Sequence, residues 1–164
     1  CMGASAQTMK PGLWEHSFTM KSQSGKMEQG MAELQKQIAA MPPEKRKQME
    51  QMMAQSGVAM GSKVNVVKVC VTPEDAARMD MPKFNDQCKQ EVIKRSASTM
   101  QFKFTCAGQP PTSGEGEVTF SSPTAYTSKS IVNTSVEGKP ERMTMDQSGK
   151  WLAADCGAVK PIKR

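Results

Sequence analysis

The chain has 164 residues, which is the size of one domain that can bury a hydrophobic core. Only 37% of the residues are hydrophobic and 5% are aromatic, against about 45–50% apolar residues in average globular domains, so covalent crosslinks are expected to support the core. The net charge of +6 comes from scattered Lys and Arg without interleaved aromatics, which argues against nucleic acid as a partner, and no apolar run approaches the roughly 20 residues of a membrane-spanning helix.

The first residues indicate export. Ala4-Ser5-Ala6 is a small-x-small triplet of the kind that signal peptidase cuts after, which predicts residues 1–6 to be a signal-peptide remnant and 7–164 to be a single domain. In the alternative interpretation Cys1 is the acylated N-terminus of a lipoprotein, which would attach the domain to a membrane. Both interpretations predict a periplasmic domain, free or anchored.

Alternating residues predict the first β-strand. Over 12–21 the side chains of Trp14, His16, Phe18 and Met20 point to one side and polar side chains to the other. Residues 99–106 alternate in the same way, with Met100, Phe102, Phe104 and Cys106 on one side. Further strands are predicted at 63–72, 115–122, 124–134, 140–147 and 151–154. Short strands separated by turn signals are typical of an antiparallel meander.

Between the first two strands the hydrophobic period changes to that of a helix. The face of a first predicted helix consists of Met27, Met31, Leu34, Ile38 and Met41. Pro42-Pro43 ends this helix and begins a second one, whose apolar face holds Met49, Met52 and Met53 and continues towards Val58–Met60. A short third helix is predicted from Pro73 to Arg78. The sequence therefore predicts an α+β fold: a twisted antiparallel sheet, either a meander or a half-barrel, with a methionine-rich helical hairpin inserted at about 26–60.

The spread cysteines predict two disulfides. Cys70, Cys88, Cys106 and Cys156 show no C-x-x-C spacing, so zinc-site and thioredoxin-like patterns are absent. Four cysteines allow three pairings, of which we favour Cys70–Cys88 with Cys106–Cys156. Their expected role is structural.

Three interpretations of the 15 methionines remain open. Flexible thioethers could fill a buried helix face, or they could form an adaptable apolar surface for a partner or ligand. They could also bind Cu(I), a soft metal that thioethers favour. The tightest candidate copper cluster is Met49, Met52 and Met53, without a histidine beside it.

The single histidine gives little support for catalysis. His16 shares its predicted strand face with Trp14 and Phe18, which favours a hydrogen-bonded core or rim histidine. No nucleophile motif, metalloprotease motif or phosphate loop accompanies it. We therefore expect a protein that is not an enzyme and has no cofactor.

Several short motifs resemble a family of exported Gram-negative bacterial proteins, domain of unknown function 3617. The motifs are Met9–Glu15 (MKPGLWE), Met41–Glu44 (MPPE), Val69–Thr72 (VCVT), Phe104–Cys106 (FTC), Gly114–Gly116 (GEG) and Asp155–Gly157 (DCG). The resemblance covers roughly residues 7–161. It implies periplasmic or lipoprotein placement and paired cysteines, and it carries over no catalytic residue.

These observations predict a non-enzymatic periplasmic binding or protein-interaction domain. Its partner would be an apolar ligand or an envelope protein, held by a methionine-rich surface together with the concave face of the sheet. The predicted surface consists of Met27, Met31, Leu34, Ile38, Met41, Met49, Met52 and Met53. The alternative is a periplasmic Cu(I)-binding protein with thioether ligands at Met49, Met52 and Met53.

Overall fold

Alternating side chains build a sheet of long strands, with tight turns at Pro123-Thr124 and Glu137-Gly138. A computed structural model describes residues 9–60, 65–78 and 87–161. The strands are β1 (Gly12–Ser22), β2 (Val58–Met60), β3 (Val66–Val71), β4 (Cys88–Arg95), β5 (Thr99–Cys106), β6 (Thr112–Ser122), β7 (Ala125–Val136) and β8 (Lys139–Ala153). The helices are α1 (Lys26–Ala40), α2 (Pro43–Gln55) and α3 (Pro73–Arg78).

The strands form one eight-stranded antiparallel sheet in the order β2-β3-β1-β8-β7-β6-β5-β4. Strands β4 to β8 are a meander, in which each strand pairs with the next one along the chain. The last strand then pairs with the first, which places β1 and β8 in the interior of the sheet, with a neighbouring strand on each side. The predicted antiparallel sheet is confirmed. Strand β8 is continuous, however, where the sequence predicted two shorter strands.

The two faces of the sheet differ in chemistry. On one face, ion pairs join Glu15 to Lys150 at 3.2 Å and Glu91 to Lys103 at 3.1 Å. The opposite face carries the alternating residues of β1, from Trp14 to Met20, and the residues paired with them, because directly opposite residues in neighbouring strands share a face. We call the side with the ion pairs the charged face and this second side the apolar face.

A cluster of buried aromatic side chains lies at one end of the apolar face, and Met100, Phe102 and Phe104 of β5 are buried further along it. Trp14 is fully buried and packs with Phe120 and Tyr126. Its indole Nε1 donates a hydrogen bond to the Lys10 carbonyl at 2.8 Å, so the one polar atom of this buried ring is satisfied.

The helices form where the sequence predicts them, but the packed hairpin is not shown. Helix α1 contacts β1 and α2 contacts β2, and no residue of either helix is buried. The prediction that α2 continues its apolar face into Val58–Met60 is wrong. Gly57 takes a φ of 93°, and the next residues turn into β2 and pair with β3. A left-handed residue ends the helix, and the β-branched Val58 suits a strand.

The four predicted cysteines form two disulfides, but the favoured pairing is wrong. Cys70 bonds to Cys156, with their Cα atoms 5.5 Å apart, and Cys88 bonds to Cys106, with 4.0 Å between Cα atoms. Cys88 begins β4, an unpredicted strand that places it directly opposite Cys106 in β5. The segment after β8 returns to β3, where Pro161 forms a β-bridge with Cys70.

Candidate functional site: the apolar face of the sheet

The central strands place three pairs of side chains side by side on the apolar face. Trp14 on β1 lies opposite Trp151 on β8, Phe18 opposite Gln147, and Met20 opposite Met145. Phe18, Met20, Met143 and Met145 are only half-buried, although β1 and β8 are interior strands of the sheet. Apolar side chains at the centre of a sheet are normally buried by a second layer. A partly exposed apolar face therefore marks a candidate binding surface.

An aromatic cluster closes one end of this face. His16 and Trp14 stack with their ring centroids 6.4 Å apart, and Tyr126 lies 5.7 Å from the His16 ring. The Tyr126 ring covers Gly149, where an added Cβ would come within 2.1 Å of the ring. Glycine at this position is what allows the tyrosine to lie flat across β8.

A chain of hydrogen bonds runs through the same cluster. Gln147 donates from Nε2 to the Tyr126 hydroxyl at 3.0 Å, and that hydroxyl lies 2.5 Å from His16 Nδ1. The hydroxyl has one hydrogen and already accepts from Gln147, so donating to Nδ1 satisfies all three groups. This assignment places the imidazole proton on Nε2 of His16.

Burial keeps this cluster uncharged. It lowers the pKa of His16 from 6.5 to about 4 and raises the pKa of Tyr126 well above its ordinary value. Both effects follow from the cost of placing a charge away from water. At neutral pH His16 is therefore a neutral hydrogen-bonding group.

Further along the face, Ser130 is 6% exposed, and its buried Oγ has no hydrogen-bond partner among the described residues. It pairs with Gly116 on β6 and with Met145 on β8. The ring of Phe102 lies beside it, over Gly116. Buried hydroxyls are normally paired, so this atom calls for an explanation.

The predicted site residues lie in two places. His16 is on the apolar face with Trp14 and Phe18, as expected. The predicted methionine surface lies on or next to α1 and α2, where Leu34 is 44% exposed and Met52 is 68% exposed. The remaining members are half-buried: Met27, Met31, Ile38, Met41, Met49 and Met53. Cys1, the predicted acylation site, lies outside the described residues.

The sequence analysis did not predict the part of the site that β7 and β8 contribute. Met143, Met145 and Gln147 are on alternate positions of β8 and lie within the strand predicted at 140–147, but their shared face was not predicted as a binding surface. Ser130 carries no signal of its own, because its importance comes from the buried position and the missing partner.

Three findings on the described part of the chain concern other kinds of site. No group of three or more His, Cys, Asp or Glu residues could hold a metal ion there. None of the helices it contains has the length and apolar character needed to traverse a bilayer. A shallow depression of about 330 Å³ at the end of β5, β6 and β7 is lined by uncharged residues. Its lining consists of Thr105, Pro111, Thr112, Ser113, Asn133 and Thr134.

The sequence profile of the protein family of unknown function DUF3617 matches residues 9–156. The chain belongs to this family. An uncharacterised protein encoded in the 5′ region of lpd-3 in Pseudomonas putida is 36% identical over 117 residues, which is 70% of this chain and 79% of that protein. Among solved structures, the S-type phycobiliprotein lyase CPES from Guillardia theta aligns over 88% of this chain and 89% of its own, with a TM-score of 0.37 and 10% identity.

Proposed function

We propose that this DUF3617 protein is a non-enzymatic binding protein that holds an apolar ligand against the apolar face of its sheet. The observation that carries the proposal is the partial exposure of Phe18, Met20, Met143 and Met145 on two adjacent interior strands. Burying these side chains against a ligand would gain about 25 cal/mol for each Å² of apolar surface removed from water. Methionine side chains adapt to ligands of varied shape, which suits a site of this composition.

Titration with N-phenyl-naphthylamine, a neutral apolar dye that fluoresces away from water, tests the proposal. A Met145→Glu variant would place a charge in the centre of the apolar face, and we expect it to lose at least about tenfold in dye affinity because a desolvated carboxylate is costly. Thr144→Glu is the matched control, since Thr144 is the adjacent residue on the charged face and is exposed. Met145→Leu should keep the affinity if apolarity is what matters.

The proposal fails if wild type does not bind the dye, or if Met145→Glu and Thr144→Glu bind it equally well. Circular dichroism of each variant confirms that the sheet is retained, so that a loss of binding is not a loss of folding.

The helices provide a second surface for the same role. We propose that the partly exposed apolar side chains of α1 and α2 pack against the ligand or against an envelope protein that exchanges it. A pull-down from envelope extract that compares wild type with a variant carrying Leu at Met49, Met52 and Met53 tests this. Equal recovery of a partner by both proteins would show that apolarity suffices, and no recovery by either would remove the helices from the proposal.

We propose that the protein is periplasmic. Two disulfides support this placement, because such bonds persist in oxidising compartments and are rare in the cytosol. Fractionation tests the compartment, and intact-mass measurement tests acylation of Cys1, since a lipoprotein would carry the mass of its acyl chains.

Cu(I) binding is a second candidate function. Met49, Met52 and Met53 are spaced i, i+3 and i+4, which places them along one side of α2, and Met52 is exposed to solvent. An anaerobic Cu(I) titration decides the matter. Affinity tighter than micromolar that disappears when the three residues are changed to Leu would support a thioether site, and weaker binding would remove it.

A further inference from the structure

The chemistry of the apolar face narrows the class of ligand that it can hold, and this inference rests on the proposed function. Within β1, β6, β7 and β8, all of which the structure describes, the ionisable Lys and Glu side chains on this face are Lys139 and Glu141, both at the start of β8 and away from Ser130 and Met145. Lys139 is exposed, and the Glu141 carboxylate is hydrogen-bonded to Ser24. Both the backbone N–H and the hydroxyl of Ser24 donate to it, at 2.9 and 2.8 Å. His16 is neutral there because burial lowers its pKa to about 4. The part of the face around Ser130 and Met145 therefore offers no charge to pair with an ionic ligand.

The polar side chains near the centre of the face are uncharged, and they differ in whether they have a hydrogen-bond partner. Gln147 Nε2 and His16 Nδ1 are both hydrogen-bonded to the Tyr126 hydroxyl. Ser130 is different, because its buried Oγ has no partner in the described chain. A hydroxyl can donate one hydrogen bond and accept others, so Ser130 is the polar group that a ligand could satisfy.

The methionine side chains near Ser130 could change rotamer to admit a ligand. Met145 lies directly opposite on β8, and Met20 lies opposite Met145 on β1. Both thioether side chains are half-buried and have several rotatable bonds. A ligand that displaces them gains apolar contact and reaches the hydroxyl beneath.

We propose that the apolar face binds uncharged apolar molecules that carry a hydrogen-bonding oxygen, such as a ketone, ester or alcohol, and that the Ser130 hydroxyl donates to this oxygen. Anionic amphiphiles are disfavoured because their charge would lose its water without gaining a partner. In this assignment Ser130 sets specificity and the methionines supply contact area.

Three dyes test the assignment. Prodan is a neutral naphthyl ketone, N-phenyl-naphthylamine is neutral and lacks a carbonyl oxygen, and anilinonaphthalene sulfonate is anionic. We expect wild type to bind both neutral dyes more tightly than the sulfonate. Ser130→Ala should weaken Prodan by about threefold to tenfold, the worth of one neutral hydrogen bond, and should change N-phenyl-naphthylamine by less than about twofold.

Ser148→Ala is the matched control, because Ser148 is exposed on the charged face of β8 and should leave all three affinities unchanged. Thermal unfolding adds a second measurement. Removing a buried hydroxyl without a partner should leave the Tm of Ser130→Ala equal to or higher than that of wild type.

The outcomes separate the two proposals. If wild type binds none of the neutral dyes, the proposed function fails. If it binds both but Prodan is unaffected in Ser130→Ala, only the present assignment fails. A clear fall in Tm for Ser130→Ala would show that the hydroxyl has a structural partner, and tight binding of the sulfonate would contradict the neutrality argument; either result overturns the assignment.

Discussion

Removing the two disulfides one at a time should have unequal effects on stability. Cys70–Cys156 closes a loop with a sequence separation of 86, whereas Cys88–Cys106 spans 18. In the chain-entropy description a crosslink stabilises by restricting the unfolded chain, and the restriction grows with the logarithm of the loop length. The longer loop should therefore contribute about 4–5 kcal/mol to the free energy of unfolding, and the shorter loop about 3 kcal/mol.

The structure adds a local reason for the same order. Cys156 belongs to the segment after β8, in which Val159 is 8% exposed and Pro161 forms a bridge to β3. Losing this crosslink also loosens the packing of that segment. Cys88 and Cys106 instead lie on strands that remain paired along the rest of β4 and β5, so hydrogen bonds hold that pair of strands after reduction.

Urea denaturation of the Cys70→Ala/Cys156→Ala and Cys88→Ala/Cys106→Ala variants measures the difference. With a slope of about 2 kcal/mol per molar urea, the midpoint should fall by about 2 M for the first variant and about 1.5 M for the second. Wild type treated with a reducing agent should unfold at lower urea than either variant. Equal midpoints for wild type and the first variant would refute the argument, as would a tryptic peptide joining Cys70 to Cys88 in the non-reduced protein.

Three further predictions follow from the apolar face and from α1. Gly149→Ala should lower stability by about 1–3 kcal/mol, the usual cost of overpacking, because its Cβ would meet the Tyr126 ring at 2.1 Å; an unchanged Tm would contradict the close approach. Gly30→Ala, in the middle of α1 with nothing within 4 Å of the new Cβ, should raise stability by about 0.5–1 kcal/mol, and a decrease would indicate a contact at that position. Burial lowers the pKa of His16 to about 4 from about 6.5 in the unfolded chain, so the folded state binds this proton more weakly. Stability from His16 should be complete above pH 6.5 and fall by up to about 3 kcal/mol as the pH drops to 4; equal pH dependence in His16→Gln would contradict it, and NMR titration of the single histidine measures the pKa directly.

The strands that the sequence revealed are those whose alternation is strong. Strand β1 and strand β5 each present aromatic and methionine residues at every second position, and both faces were predicted correctly. Strand β4 was missed because it lies at the edge of the sheet, where charged residues are common on both faces and the alternation is weak. Its exposed Val92 and Ile93 stand between lysines and a glutamate.

The helix boundaries could also be predicted from the sequence, because Pro42-Pro43 is a local signal. The packing of the helices could not be predicted. The apolar stripe of α1 is compatible with packing on α2 or on a strand, and its contacts with β1 depend on where the chain leaves the sheet. Local periodicity states which side of a helix is apolar, and it does not state what that side meets.

By itself the sequence determined the class of fold, the apolar side of the first strand, the two disulfide-bonded cysteine pairs as a set and the family. The tertiary structure decided which cysteine bonds to which. It alone brought His16 together with Tyr126, 110 residues away, and left the Ser130 hydroxyl without a hydrogen-bond partner among the described residues. The reason is physical: alternation and breakers act over a few neighbouring residues, whereas a crosslink, a hydrogen-bond chain or an unsatisfied hydroxyl depends on strand order and register. Strand order and register are set by the pairing of all the strands in the sheet.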